Sequence, residues 1–155
     1  MSASRGDGSR SGGTDRAGLL RGSIVRYPYL WRREREAGET EGRKERPVCV
    51  VVAARRDATG ETYLLLLAIT SQPPGVHRNA VAIPDTERRR AGLDPDRPAW
   101  VIVDEANTDV LNRSFYLLPD PPVIGRFSQA FLASIAREVM VALRLPATRI
   151  DRTEP

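Results

Sequence analysis

The chain has 155 residues, room for one domain, and carries 24 Lys and Arg against 20 Asp and Glu, a formal net charge of +4 at pH 7. A single cysteine, Cys49, excludes an internal disulfide and any cysteine-based metal site, and with His77 as the only histidine a conventional zinc centre lacks its ligand set. The longest uninterrupted apolar runs, 48–54 and 63–69, are strand length, well short of the roughly 20 residues a membrane-spanning helix needs, so no membrane association is expected.

A modest positive charge permits contact with nucleic acid without requiring it. Lys44 is the only lysine among the basic residues. Arginine dominance suits planar, bidentate recognition of phosphate; a GC-rich genome produces the same bias. Both readings stand on composition alone.

In chain order, residues 1–21 are rich in Gly, Ser, Arg and Asp and have almost nothing to bury. Such a segment does not offset its ordering entropy, and a disordered N-terminal arm is expected; a misplaced start codon is the alternative. No apolar stretch follows Met1, so no secretory signal is expected and the cytoplasm is the expected compartment. Gly22 to Tyr27 reads as a first strand. Arg32 to Glu45 alternates in charge and reads as a solvated loop. Pro47 to Ala54 reads as a second strand, its β-branched density (Val48, Val50, Val51, Val52) predicting burial on both faces.

Arg55 to Gly60 reads as a turn, with Gly60 free to take positive φ, and Thr62 to Thr70 as the returning strand of an antiparallel hairpin. Ala80 to Pro84 and Trp100 to Asp104 predict a fourth and a fifth strand, and Ser114 to Leu118 a further one. Phe127, Phe131, Ile135, Val139 and Leu143 recur at every fourth position, which predicts a helix with Ser128 as its N-cap and Phe127 and Leu132 stapled across it. Pro146 stops it, and 146–155 reads as a polar tail. Short strands this close together predict a mostly-β domain over 22–145, a small barrel of antiparallel strands with a C-terminal helix.

Four places could carry chemistry. Arg46 precedes Pro47, which favours a strand start and holds its predecessor extended. The Arg46 guanidinium would then stand at the mouth of the barrel, either clamping a phosphate or simply solvated. Thr70, Ser71 and Gln72 close the third strand, and a hydroxyl there either bonds a phosphate oxygen or caps the turn into Pro73-Pro74-Gly75. His77, in the loop before the fourth strand, is a general-base candidate or an incidental surface residue. Glu105 and Asn107, in the acidic stretch 104–109 after the fifth strand, are candidates for acid–base or ligand roles, although the spacing matches no metal-binding loop. No phosphate-binding Gly-Lys loop or nucleophile elbow is present, and no metal or cofactor is expected.

Taken in order, Gly22-Ser23-Ile24-Val25, Arg46-Pro47-Val48-Cys49-Val50-Val51 and Ala68-Ile69-Thr70-Ser71 resemble the landmarks of the MazF/PemK family, toxins of type II toxin–antitoxin systems. Ala80 to Pro84, Gly92-Leu93 before Trp100 to Val103, and the helix after Val123-Ile124-Gly125-Arg126 extend the likeness over about 22–145. The resemblance implies an SH3-like barrel and a metal-independent endoribonuclease that cleaves single-stranded mRNA by attack of the 2′-hydroxyl on its neighbouring phosphate. It assigns catalysis to Arg46 and Thr70, with Pro47, Ser71 and Gln72 supporting RNA binding. It also implies a homodimer and growth inhibition relieved by an antitoxin. The long charged segment at 32–45 and Asp104-Glu105-Ala106-Asn107, where the family is commonly rich in Gln and Arg, depart from its pattern. A non-catalytic barrel binding protein or RNA, and a gyrase-inhibiting toxin of the same fold, are the alternatives.

Overall fold

The structure, a computed structural model, describes residues 20–38, 44–142 and 149–153. The strands are β1 (Ser23–Tyr27), β2 (Arg46–Arg55), β3 (Thr62–Thr70), β4 (Ala80–Ala82), β5 (Trp100–Ile102), β6 (Ala106–Val110), β7 (Gly125–Arg126) and β8 (Arg149–Asp151). The helices are α1 (Arg32–Glu36), α2 (Asp85–Arg90) and α3 (Gln129–Ala142), with a 3-10 turn at Leu111–Arg113. The expected arm falls outside the described residues up to position 19. At its end Leu20 is buried, so the packed domain begins before Gly22.

The hydrogen-bonded path runs β4-β5-β3-β2-β1-β7, with β6 pairing β3 and β8 pairing β6. All pairings are antiparallel except β6 with β8. Among the described residues the path does not return on itself. What is shown is a mostly-β fold carrying a C-terminal helix. β3 organises it, because its first half pairs β6 (Leu66 opposite Asn107) and its last residues pair β5 (Thr70 opposite Trp100).

The valine run is buried on both faces as far as Val51, whereas Val52, expected to be buried with it, is 44% exposed where the register with β3 shifts after Val50. Cys49 and Val51 enter one apolar cluster with Ile24, Leu67 and Ile69, covered by Leu132, Ile135 and Val139 of α3. Val48 and Val50 enter a second with Val25, Tyr27, Leu66, Ala68, Tyr29 and Trp31. Alternating side chains of a strand face opposite ways, so a strand between two clusters needs apolar residues at consecutive positions. Ser128 caps α3 as expected, its hydroxyl oxygen accepting the Phe131 N–H at 3.2 Å, and Phe127 and Leu132 share the first cluster.

Three expectations are corrected. Residues 114–118 form no strand, because the Ser114 hydroxyl oxygen accepts the N–H groups of Tyr116 and Leu117 at 3.1 and 3.0 Å, which consumes the donors a ladder would need. A strand lies instead at 106–110, where Asn107 and Asp109 are buried. The tail at 146–155 contains β8, with Ile150 and Arg152 buried. The charged segment 32–45 opens with the short helix α1 and is not all loop; its residues 39–43 lie outside the described ones.

Candidate functional site

Arg46 opens β2 and Thr70 closes β3. The β2–β3 ladder ends at Val48 opposite Ala68; beyond it Arg46 pairs Tyr27 of β1 and Thr70 pairs Trp100 of β5, so both stand just past the ladder's end. Both line an open cavity of about 410 Å³, together with Pro47, Ser71 and Gln72. Leu93, Asp94, Arg97 and Pro98, from the segment between α2 and β5, form part of its wall. That wall is seated by a close backbone approach: a Cβ on Gly125 would fall on the backbone of Arg90 and Ala91, and Gly92 takes φ 72°, with Ile124 O only 2.7 Å from where its Cβ would lie.

Among the described residues no carboxylate lies within ion-pair distance of Arg46. Its guanidinium instead sits over the Trp31 ring, 5.0 Å from the centroid, and its buried Nε has no hydrogen-bond partner. Burial lowers the Arg46 pKa below the ordinary arginine value, and the Arg33 charge acts the same way, while Glu34 and Tyr29 oppose it. Thr70 Oγ1 accepts the Gln72 N–H at 3.0 Å. The turn-capping reading of this hydroxyl therefore holds in the structure, and its proton stays available for a second acceptor.

The remaining candidates separate from this cavity. His77 is exposed and does not line it. Glu105 is buried and committed: its Oε1 accepts the Arg32 N–H at 3.0 Å and the Tyr29 hydroxyl at 3.3 Å, and its Oε2 accepts Arg78 at 3.0 Å. Asn107 is wholly buried. Its Oδ1 accepts the Leu30 N–H at 2.9 Å and Arg152 at 2.7 Å, and its Nδ2 donates to Leu30 O at 2.8 Å. Neither is placed to meet a ligand, because the chain is already their partner. Among the described residues no group of three or more His, Cys, Asp or Glu is arranged to hold a metal ion, and no helix is long and apolar enough to cross a membrane.

Two contributors escaped the sequence reading. Arg97 lies more than 20 positions from either strand end, in a loop with no motif. Trp31 left a faint trace, since Tyr29-Leu30-Trp31 is an apolar triplet at the head of a charged stretch. Comparison with protein-family models and with curated proteins finds no match for the chain.

Proposed function

We propose that the protein is a metal-independent endoribonuclease of the MazF/PemK kind, acting on single-stranded RNA at the cavity between Arg46 and Thr70. The observation that carries this reading is that one open cavity is lined both by an arginine that, among the described residues, has no carboxylate partner and by a threonine hydroxyl whose one hydrogen bond among them is accepted, not donated. In the proposed reaction the RNA 2′-oxygen attacks the adjacent phosphorus and the bond to the 5′-oxygen breaks. The products are a 2′,3′-cyclic phosphate and a 5′-hydroxyl. The nucleophile is part of the substrate, so the protein has to align, stabilise charge and guide protons. Arg46 supplies fixed positive charge where the phosphorane gains negative charge, and the Thr70 hydroxyl donates to one phosphate oxygen. Arg97, which also lines the cavity, holds a neighbouring phosphate in this proposal. The partners that follow from the resemblance are the RNA, a second copy of the chain and an antitoxin covering the cavity.

The test is incubation of the pure protein with single-stranded RNA in excess EDTA, followed by mapping of the new ends. Cleavage leaving 5′-hydroxyl ends, abolished by one 2′-deoxy substitution at the cut site, is expected. Arg46→Ala and Thr70→Val should each slow it on the order of a hundredfold. Binding of RNA without cleavage would favour the non-catalytic barrel, and loss of cleavage in EDTA would remove the mechanism.

A further inference from the structure

Trp31 is surrounded by three guanidinium groups, those of Arg46, Arg33 and Arg78, at 5.0, 5.5 and 5.7 Å from its ring centroid. They are not equivalent. Arg78 is ion-paired to Asp104 at 2.8 Å and to Glu105 at 3.0 Å, whereas Arg46 has no carboxylate partner among the described residues. An ion pair would orient Arg46 and also neutralise it. A ring face orients a guanidinium and leaves its charge and its N–H edge free. Trp31 is only 8% exposed, which leaves no open face on which a base could stack.

The backbone that carries the indole is held from both sides. Asn107 brackets Leu30 by bonding its N–H and its C=O, and Glu105 takes the Arg32 N–H. Tyr29 meets the indole edge-on with centroids 4.9 Å apart, and Glu34 accepts the Trp31 backbone N–H at 3.0 Å. Buried polar groups from the start of β6 thus fix the residues on either side of Trp31, and Trp31 covers Arg46. We infer that Trp31 is the positioning residue for Arg46, holding its guanidinium at the end of β2 without neutralising it, with Asn107 and Glu105 as the supports of Trp31. This rests on the RNA-cleaving role of the cavity and adds the device that aims its arginine.

The experiment compares the parent, Trp31→Phe, Trp31→Leu, Arg46→Ala and the Trp31→Leu/Arg46→Ala double variant. Two measurements are made on each folded protein: single-turnover RNA cleavage, and the ¹⁵N order parameter of the Arg46 Nε–H wherever Arg46 is kept. Trp31→Leu is expected to lower the maximal cleavage rate at least tenfold with little change in RNA affinity and to make the Arg46 side chain mobile. Trp31→Phe, which keeps a ring face, should stay within about threefold of the parent. In the double variant the Trp31 change should cost nothing further, since two residues acting through one group are not additive. A folded Trp31→Leu protein with a rigid Arg46, or one that cleaves like the parent, overturns the inference. Mobility of Arg46 in Trp31→Leu alongside a parent that cleaves no RNA would support the positioning and remove the RNA reading instead.

Discussion

Asn107 shows how a polar residue becomes structural when its whole valence is used. Its side chain makes three hydrogen bonds, two to Leu30 and one to Arg152. Replacement by Leu would leave an N–H, a carbonyl and a guanidinium without partners in the interior. Asn107→Leu is therefore expected to cost about 3 kcal/mol or more, read as a lower urea midpoint. Cys49 offers a pH test. Burial pushes its thiol pKa up from 9.0 to about 12, so the folded state keeps the proton longer than the unfolded chain. Its stabilisation is complete below about pH 9 and is lost as pH rises toward 12, by about 1.4 kcal/mol per unit of difference. Tyr27 and Tyr29 are raised in the same sense from 10.0 and add their loss later. Between pH 9 and 10 the stability of the parent should fall more steeply than that of Cys49→Ala, measured by denaturant titration. At pH 8 the native thiol should resist a disulfide reagent.

At the scale of elements, α2 and α3 are joined through one carboxylate. Glu87 Oε1 accepts the Ser128 N–H at 2.9 Å and its Oε2 accepts the Ser128 hydroxyl at 2.7 Å, while Ser128 caps the first turn of α3. A negative charge at a helix N-terminus is favourable, and this contact links the helix covering one apolar cluster to the segment that walls the cavity. Ser128→Ala should lower stability by about 1–2 kcal/mol, seen as a drop in melting temperature. Gly125→Ala should be more damaging, because its Cβ has to displace the backbone at Arg90 and Ala91. A loss of about 3 kcal/mol or more is expected, with the wall carrying Leu93 and Asp94 shifted and RNA cleavage reduced in whatever fraction folds.

Across the whole molecule, the two ends of the described chain meet the same apolar cluster and the same polar network. Leu20 packs into the cluster that holds Trp31. Arg152, 1% exposed, bonds Pro28 O at 2.9 Å and Asn107 and lies over the rings of Tyr116 and Tyr27. Leu20→Ala is expected to cost about 2–4 kcal/mol. A chain ending before Arg149 should both melt lower and lose cleavage, because removing Arg152 and β8 frees one side of Asn107 and so loosens the support of Trp31. A truncated chain with the parent's melting temperature would show that β8 contributes nothing to the core.

The β2–β3 hairpin was legible from residue order, because a dense run of β-branched and apolar residues bounded by Arg46-Pro47, a Gly60 turn and Thr70 has few other conformations open to it. The helix α3 was legible for the same reason, its apolar residues recurring on one face. That Arg46 and Thr70 line one cavity follows from the ends of that hairpin. β6 was hidden, since Asn107 and Asp109 look like surface residues until partners from distant parts of the chain make their burial affordable: Leu30 and Arg152 for Asn107, and Tyr27 and Ser114 for Asp109. Glu105, a candidate for acid–base or ligand roles in the sequence, is taken up by Arg32, Tyr29 and Arg78 for the same reason. Trp31 could not be assigned to Arg46 from spacing, because a cation over a ring is a relation between a segment after β1 and the start of β2 that exists only once both are folded onto the same sheet face. Sequence determined which residues could carry chemistry; tertiary structure decided which of them face the cavity and which hold the others in place, because the pairing of buried polar groups depends on contacts far apart in the chain.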